Sequence, residues 1–206
     1  MLEIGKFSVM NLENAVRGMR NPMSSHRLAD SFFENGEFIL GEKDLALAKK
    51  LCRAGSDHRK FLRQIFVSVD VTAPLYWWKE YDTYKVSTVA NSASTMHKIH
   101  AKPFELSDFS ADMLTAESME YFKTTIAYLE SVRVRYTETK DRALWYDLIQ
   151  LLPSSYNQLR TCTLNYETLI NIYASRKSHK LHEWHVFCDW ISSLPYSADL
   201  IKLKKD

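Results

Sequence analysis

Helical spacing of apolar residues predicts several helices, which are separated by proline and glycine residues. Residues 164–175 show the pattern well, with Leu164, Thr168, Leu169 and Ile172 on one face, as expected for 3.6 residues per turn. Glycine ends helices because it favours the left-handed turn, and proline ends them because it lacks the backbone N–H. The predicted helices are residues 8–20, 42–53, 75–85, 111–139, 140–152, 164–175 and 179–193.

One segment has the period of a β-strand instead. Ile65, Val67, Val69 and Val71 fall on one face of residues 61–72, and mostly polar residues fall on the other. This alternation predicts a strand with one buried face. Two segments show neither period: residues 86–100 are loose and polar, and residues 154–163 form a connection. No repeat or linker divides the chain, so we expect a single α+β domain over residues 1–206.

Composition and charge narrow the classes of partner. The 206 residues are 46% hydrophobic, which is enough to bury a core and is untypical of a disordered chain. The formal charge is only +2, from 27 basic and 25 acidic residues, so no strong positive field favours nucleic acid. The apolar runs are shorter than the roughly 20 residues of a membrane span. We therefore expect neither a nucleic acid nor a membrane as partner.

The three cysteines point to a reduced compartment. Cys52, Cys162 and Cys188 are widely spaced, odd in number and form no CxxC pair, which disfavours a disulfide framework or a thiolate zinc site. The first residues also lack the basic and apolar regions of a signal peptide. A cytoplasmic protein is the simplest interpretation.

The motifs of several enzyme classes are absent from the sequence. No glycine-rich phosphate loop, dinucleotide fingerprint or nucleophile elbow occurs, and the chain has only 5 glycines. An anion site would therefore have to use Arg, Lys, Ser or Thr side chains and a helix N-terminus.

Two segments concentrate residues that are able to bind a ligand. Residues 73–85, APLYWWKEYDTYK, combine five aromatic and four charged side chains, which suits either a buried core helix or a surface that stacks on a flat ligand. His179, His182 and His185 are spaced three apart. On one helix face they are either metal ligands or ordinary surface histidines, and no further ligand is evident.

Two blocks of the sequence are similar to the flavin-dependent thymidylate synthase family. The first is QIFVSVDVTAP (residues 64–74), followed by the aromatic segment and a Ser/Asn-rich stretch. The second is LLPSSYNQLRTCTLNYETLINIYASRKSHKLHEW (residues 151–184), where the family carries Leu-Pro, a turn, T-x-N and a helix of the form N-x-x-x-L-x-N-x-x-x-x-R. The matching positions in this chain are Thr163, Asn165, Leu169, Asn171 and Arg176.

The chain departs from this family at its R-H-R signature and the serine that follows. Alignment on Ala73-Pro74 places residues 83–85 (Thr-Tyr-Lys) at the signature and Ser94 at the serine. A second register would use residues 77–79 and Ser87, but it breaks the Ala-Pro anchor. In either register both arginines are replaced, and lysine is a poor substitute for the planar fork of arginine. Met96 occupies the position of the family arginine after the serine.

The resemblance implies a fold, an activity and a set of site residues. The fold is α+β with a central, mostly antiparallel sheet and flanking helices. The family binds FAD and dUMP in pockets shared between the subunits of a homotetramer. It transfers carbon from methylenetetrahydrofolate and hydride from flavin that a nicotinamide cofactor has reduced. In such chemistry the protein binds and orients the reactants and supplies charge.

The resemblance also implies a set of site residues. The implied flavin contacts are Tyr84, Lys85, Asn165 and Asn171. The implied nucleotide contacts are Glu80, Ser94, Arg160 and Arg176, and no metal is implied.

Arg176 has the most specific implied role, because it would stabilise negative charge that develops on the uracil ring. Glu80 occupies a position usually filled by Gln, and Arg160 lies one position from a phosphate-binding arginine of the family. The sequence thus favours a divergent FAD-dependent thymidylate synthase-like enzyme. The alternative is a non-catalytic homologue that keeps the fold as a binding or structural oligomer.

Overall fold

A computed structural model describes residues 1–203 of the chain. The strands are β1 (Glu3–Met10), β2 (Phe32–Glu34), β3 (Glu37–Ile39), β4 (Phe66–Pro74), β5 (Val89–Ser92) and β6 (Asn157–Asn165). The helices are α1 (Leu12–Gly18), α2 (Glu42–Arg53), α3 (Leu75–Tyr81), α4 (Thr95–Lys98), α5 (Ala116–Thr139), α6 (Arg142–Gln150), α7 (Tyr166–Arg176), α8 (His182–Ser193) and α9 (Ser197–Leu200).

A four-stranded sheet in the order β1-β4-β6-β5 organises the fold. Strands β4 and β6 run antiparallel: the Thr161 hydroxyl donates to Asp70 at 2.6 Å, and that of Thr163 donates to Ser68 at 3.3 Å. Moving forward along β6 from Thr161 to Thr163 thus means moving backward along β4 from Asp70 to Ser68. Strands β2 and β3 form a separate antiparallel hairpin. The α+β class with an antiparallel sheet and flanking helices is confirmed.

The chain divides into two compact units. Unit 1 contains Met1–Glu3, Val71–Thr83 and Asn91–Arg160, and unit 2 contains Ile4–Asp70, Tyr84–Ala90 and the chain from Thr161 onward. Strands β1, β4, β5 and β6 each contribute residues to both units. The expectation of one domain over residues 1–206 stays a prediction.

Unit 1 is built around the long helix α5. Ile126, Leu129 and Val132 recur on its buried face and pack with Phe109 and, from α6, Leu148. The helix begins cleanly because the Thr115 hydroxyl accepts the Ser118 N–H at 3.3 Å, which satisfies one of the backbone donors that lack a partner at a helix start.

The core of unit 2 contains residues of β4 and of the helix pair α7 and α8. Val67 and Val69 of β4 are buried, as the alternating pattern predicts, and Leu169, Trp184 and Phe187 are buried on the two helices. The Tyr166 hydroxyl donates to the Pro195 carbonyl at 2.8 Å and ties the start of α7 to the end of α8. Burial raises the pKa of Tyr166 above its usual range, so this phenol stays a neutral donor.

Several element predictions need correction. Residues 3–10 form strand β1, so the first helix begins at Leu12 rather than at residue 8, and the aromatic helix ends at Tyr81 rather than at residue 85. The polar segment 86–100 contains β5, and the connection 154–163 largely forms β6. Every residue of β5 is exposed and most of β1 is too, so neither strand carries the alternation that marks a half-buried strand.

Candidate functional site

The predicted catalytic residue Arg176 lies against two aromatic rings in unit 2. Its Nε donates to the Tyr84 hydroxyl at 2.8 Å. The guanidinium lies 4.6 Å from the centre of the Trp184 ring and 5.5 Å from that of Tyr84. A cation over a ring face is attracted by the ring's negative centre. We call Arg176, Tyr84 and Trp184 the Arg176 cluster; it brings a predicted flavin contact and the predicted catalytic residue together.

Local structure explains why the cluster forms. Arg176 ends α7, where a positive charge faces the negative end of the helix dipole. Trp184 lies in the first turn of α8 and is fully buried, so its ring has a fixed position. Tyr84 is half-buried and Lys85 is exposed. The cluster therefore combines the fixed ring of Trp184, the oriented guanidinium of Arg176 and the partly exposed side chain of Tyr84.

Asn165 has a structural role that the sequence interpretation missed. It is 2% exposed and caps α7, because its Oδ1 accepts the Thr168 N–H at 2.9 Å and the Thr168 hydroxyl at 3.1 Å. Its Nδ2 donates to the Arg63 carbonyl at 3.3 Å. Both ends of the amide are thus hydrogen-bonded within unit 2, and its flavin contact stays a prediction. Asn171, one and a half turns further along α7, is exposed and open to a ligand.

The capping role of Asn165 predicts how its replacement changes the free energy of unfolding. Replacing Asn165 by Ala should lower the free energy of unfolding by about 1 kcal/mol, the usual cost of losing an N-cap. Asn165→Asp keeps a capping oxygen but loses the Nδ2 donor to the Arg63 carbonyl, so it should recover only part of that loss. Urea unfolding of both variants measures the difference. Equal stability of Asn165→Ala and the wild type would contradict the capping role.

Arg160, the predicted phosphate contact, forms a second cluster in unit 1. Its Nη1 lies 2.8 Å from the Asp82 carboxylate and its Nε donates to Gln158 Oε1 at 3.0 Å. The guanidinium lies 4.2 Å from the centre of the Trp78 ring, and Trp78 Nε1 donates to the Gln158 carbonyl at 3.0 Å. We call these four residues the Arg160 cluster. The charge of Arg160 is neutralised locally by Asp82.

Ser94 lines a small polar cavity of unit 1, about 270 Å³ in volume. Its hydroxyl accepts the His97 N–H at 3.0 Å at the start of α4. Lys102 and Asp108, which form an ion pair, also line the cavity. Ligand pockets usually measure about 300–1,000 Å³, so this cavity suits a phosphate or a sugar better than a whole nucleotide. Glu80, the remaining predicted contact, is half-buried on α3.

Asp82, Gln158 and Trp184 were not among the predicted site residues. Asp82 and Trp184 lie inside the sequence blocks that carry the resemblance, but their partners depend on tertiary contacts. The position of Asp82 among the rings of the aromatic segment is the one signal that the sequence offers for it.

Cys52 and Cys188 are buried and unsuited to nucleophilic attack. Burial is the main cause that raises the pKa of Cys52 to about 12. Burial, aided by Asp189 and opposed by Arg176, raises the pKa of Cys188 to about 11. Both remain thiols at neutral pH, whereas the thiolate is the nucleophile.

The three histidines do not share one helix face. Helix α8 begins at His182, and His179 precedes it. The Nδ1 of His179 accepts the Leu181 N–H at 3.1 Å, and His185 Nε2 lies 2.7 Å from the His179 carbonyl. Within residues 1–203, no group of three His, Cys, Asp or Glu side chains converges as a metal site would require. The same part of the chain contains no helix long and apolar enough to cross a membrane.

Comparison with solved structures shows what the fold is similar to. Thymidylate synthase X (ThyX) from Helicobacter pylori, solved with FAD and dUMP, superposes with a TM-score of 0.69 at 16% identity; 98% of this chain and 96% of that chain are covered. A second structure of ThyX from that organism with FAD and dUMP gives 0.69 at 15% identity, with 98% and 97% covered.

A third similar structure is the UMP/dUMP methylase PolB from Streptomyces cacaoi bound to 5-Br dUMP. It superposes with a TM-score of 0.62 at 14% identity, and 98% of this chain and 94% of that chain are covered. No protein-family model matches the sequence, and no curated protein matches it. At these identities the likeness establishes the fold over nearly the whole chain.

Proposed function

We propose that the chain is a divergent FAD-dependent thymidylate synthase-like protein, which binds flavin and a deoxyuridine nucleotide for reductive methylation of the uracil ring. The observation that carries the proposal is the hydrogen bond between Arg176 and Tyr84. These residues lie 92 positions apart, in separate sequence blocks, and the resemblance assigns Arg176 to the uracil ring and Tyr84 to the flavin. The likeness in fold to nucleotide-bound structures, which covers 98% of this chain, supports it.

The residues of the Arg176 cluster fit a flavin. An isoalloxazine is flat and electron-poor, so it suits stacking beside Tyr84 and donors from Lys85 and Asn171, which are exposed. Bound flavin, reduced by a nicotinamide cofactor, would supply the hydride, and methylenetetrahydrofolate would supply the carbon. A homotetramer with shared pockets and a cytoplasmic location belong to the same proposal.

The protein's own contribution to the reaction is electrostatic. Arg176 stabilises the negative charge that develops on the uracil ring, and the Tyr84 hydroxyl orients its guanidinium by accepting from Nε. No protein nucleophile is required, which agrees with the raised pKa values of Cys52 and Cys188. Arg160 and Ser94, which belong to unit 1, are the proposed phosphate contacts.

The second candidate function is a non-catalytic homologue that keeps the fold as a binding or structural oligomer. The Arg160–Asp82 ion pair favours it, because a carboxylate at 2.8 Å competes with a phosphate for the same guanidinium. The loss of both signature arginines at residues 83–85 points the same way.

Asp82 therefore provides a test of the nucleotide site. Asp82→Asn should strengthen dUMP binding by roughly two- to fivefold, because a partly exposed ion pair contributes about 0–1 kcal/mol. Equilibrium dialysis with radiolabelled dUMP measures the change. Glu138→Gln, which removes an exposed carboxylate of the same unit, is the control. Unchanged or weaker binding by Asp82→Asn would count against Arg160 as a phosphate contact.

The two candidate functions separate in one experiment. Purified protein is mixed with FAD, NADPH, methylenetetrahydrofolate and dUMP, and thymidylate is measured by chromatography alongside dUMP binding. Binding with thymidylate formation supports the enzyme. Binding without product supports the non-catalytic homologue as a ligand-binding oligomer, and absence of both binding and product contradicts the proposed enzyme.

A further inference from the structure

A large cavity of unit 2 shares no residue with the site proposed above. Its volume is about 810 Å³, which lies within the usual range for small-molecule sites. The end of β1 and the start of α1, the β2–β3 hairpin and the Pro195-Tyr196 turn supply its walls. No residue of the Arg176 or Arg160 cluster lines it.

Aromatic rings form part of the cavity wall. Phe7, Phe33 and Phe38 line the cavity, and Phe33 is 60% exposed. The rings of Phe33 and Phe38 are 5.4 Å apart, and Phe7 packs edge-on against Trp190 at 5.9 Å. A large exposed ring costs solubility unless something covers it, so exposed aromatic clusters commonly mark binding surfaces.

The charged groups that line the cavity are both acidic. Glu13 and Glu37 are among the lining residues, and no described lining residue is basic. Arg17, a nearby cation, donates to the Asn14 amide at 3.2 Å and forms no ion pair with either glutamate in the described part of the chain. Within residues 1–203, no side-chain ion pair neutralises the Glu13 and Glu37 carboxylates, which give the aromatic cavity a negative charge.

Two residues that line the cavity have a positive backbone φ angle. Asn11 and Tyr196, both lining residues, have φ values of 68° and 55°. A bulky residue such as Tyr196 rarely adopts positive φ, and such outliers concentrate at ligand sites. The Tyr196 hydroxyl accepts the Leu40 N–H at 3.0 Å, which fastens the turn to the end of the hairpin.

We infer that this cavity binds an aromatic organic cation, namely a quaternary ammonium or a protonated aromatic amine. Ring faces attract a cation through their negative centres, and the attraction strengthens when the cation leaves water. The two carboxylates complement the same charge, and the apolar walls accept the ring of the ligand. A neutral ligand of equal shape would gain only the apolar contacts.

A matched pair of probes tests the inference. The cation is 4-(trimethylammonio)benzyl alcohol, and the neutral probe of the same shape is 4-tert-butylbenzyl alcohol. Isothermal titration calorimetry at low salt should show about tenfold tighter binding of the cation. Equal affinity for the two probes, or no measurable binding of the cation at millimolar concentration, would overturn the inference.

Neighbouring residues of the hairpin supply matched variants. Phe33→Ala should weaken binding of both probes, and Glu37→Gln should weaken the cation alone. Phe32 and Glu34 lie on the same hairpin but do not line the cavity, so Phe32→Ala and Glu34→Gln should bind as the wild type does. Circular dichroism verifies that each variant is folded. Equal effects of Phe32→Ala and Phe33→Ala would also contradict the assigned site.

Discussion

Replacing Arg176 by Ala is expected to weaken dUMP binding by roughly 10- to 150-fold. A hydrogen bond to a charged group contributes about 1.5–3 kcal/mol, and each 1.4 kcal/mol is a factor of ten in affinity. Arg176 is held by Tyr84 and lies over Trp184, so its guanidinium is already oriented for a ligand. Equilibrium dialysis with labelled dUMP measures the loss.

Two variants separate the charge of Arg176 from its surroundings. Lys177→Ala removes the adjacent, exposed positive charge and should leave dUMP binding within about twofold of the wild type. Tyr84→Phe keeps the ring but removes the hydroxyl, so it should weaken binding less than Arg176→Ala does. If folded Arg176→Ala bound dUMP as tightly as the wild type, the role assigned to Arg176 would be wrong.

Replacing Asp44 by Asn should lower the free energy of unfolding by about 3–5 kcal/mol, because it leaves a buried cation without its partner. Arg20 and Asp44 are 3% and 1% exposed, and Arg20 Nε lies 2.6 Å from Asp44 Oδ1. The other carboxylate oxygen accepts the Ser31 N–H at 2.9 Å and its hydroxyl at 2.6 Å. Urea unfolding at pH 7 measures the loss, and Glu42→Gln, in the same first turn of α2 but exposed, is the control.

The stability that the Arg20–Asp44 ion pair contributes depends on pH in a definite direction. Burial raises the pKa of Asp44, but hydrogen bonds from Ser31 and Arg20 together outweigh it, so the pKa is lowered from 3.8. A lowered pKa in the folded state stabilises the protein above the unfolded value, and this stabilisation is lost as pH falls through the folded value. The difference between wild type and Asp44→Asn should therefore be constant from pH 7 to 5 and shrink below pH 4. A difference that grows towards low pH would contradict this interpretation.

Elements with one buried face are predictable from the sequence. Elements without one are not. Strand β4 is predictable because its valines face the core in strict alternation, and the end of α2 is predictable because Gly55 follows it closely. Strand β1 was missed because most of its residues are exposed. Strand β6 was missed because Asn, Gln, Arg and Thr side chains occupy it, and its place in the sheet follows from long-range pairing with its neighbours.

The candidate site was predictable only in part, for a similar reason. Tyr84 and Arg176 were named from their positions in two sequence blocks, and they are in contact. Asp82 and Trp184 were not named, because which cation each one meets is decided by the tertiary fold. The capping role of Asn165 was readable, since Asn before an apolar helix is a common N-cap, but the resemblance assigned it to the flavin.

The central claim is that the Arg176 cluster holds flavin next to a nucleotide. The most direct measurement is the absorbance spectrum of purified protein with FAD, recorded before and after adding dUMP, for the wild type and Arg176→Ala. We predict that the wild type binds FAD and that dUMP shifts its flavin bands, whereas the variant shows no shift at the same dUMP concentration. A wild-type protein that leaves FAD free in solution, or whose flavin bands ignore dUMP, would contradict the claim.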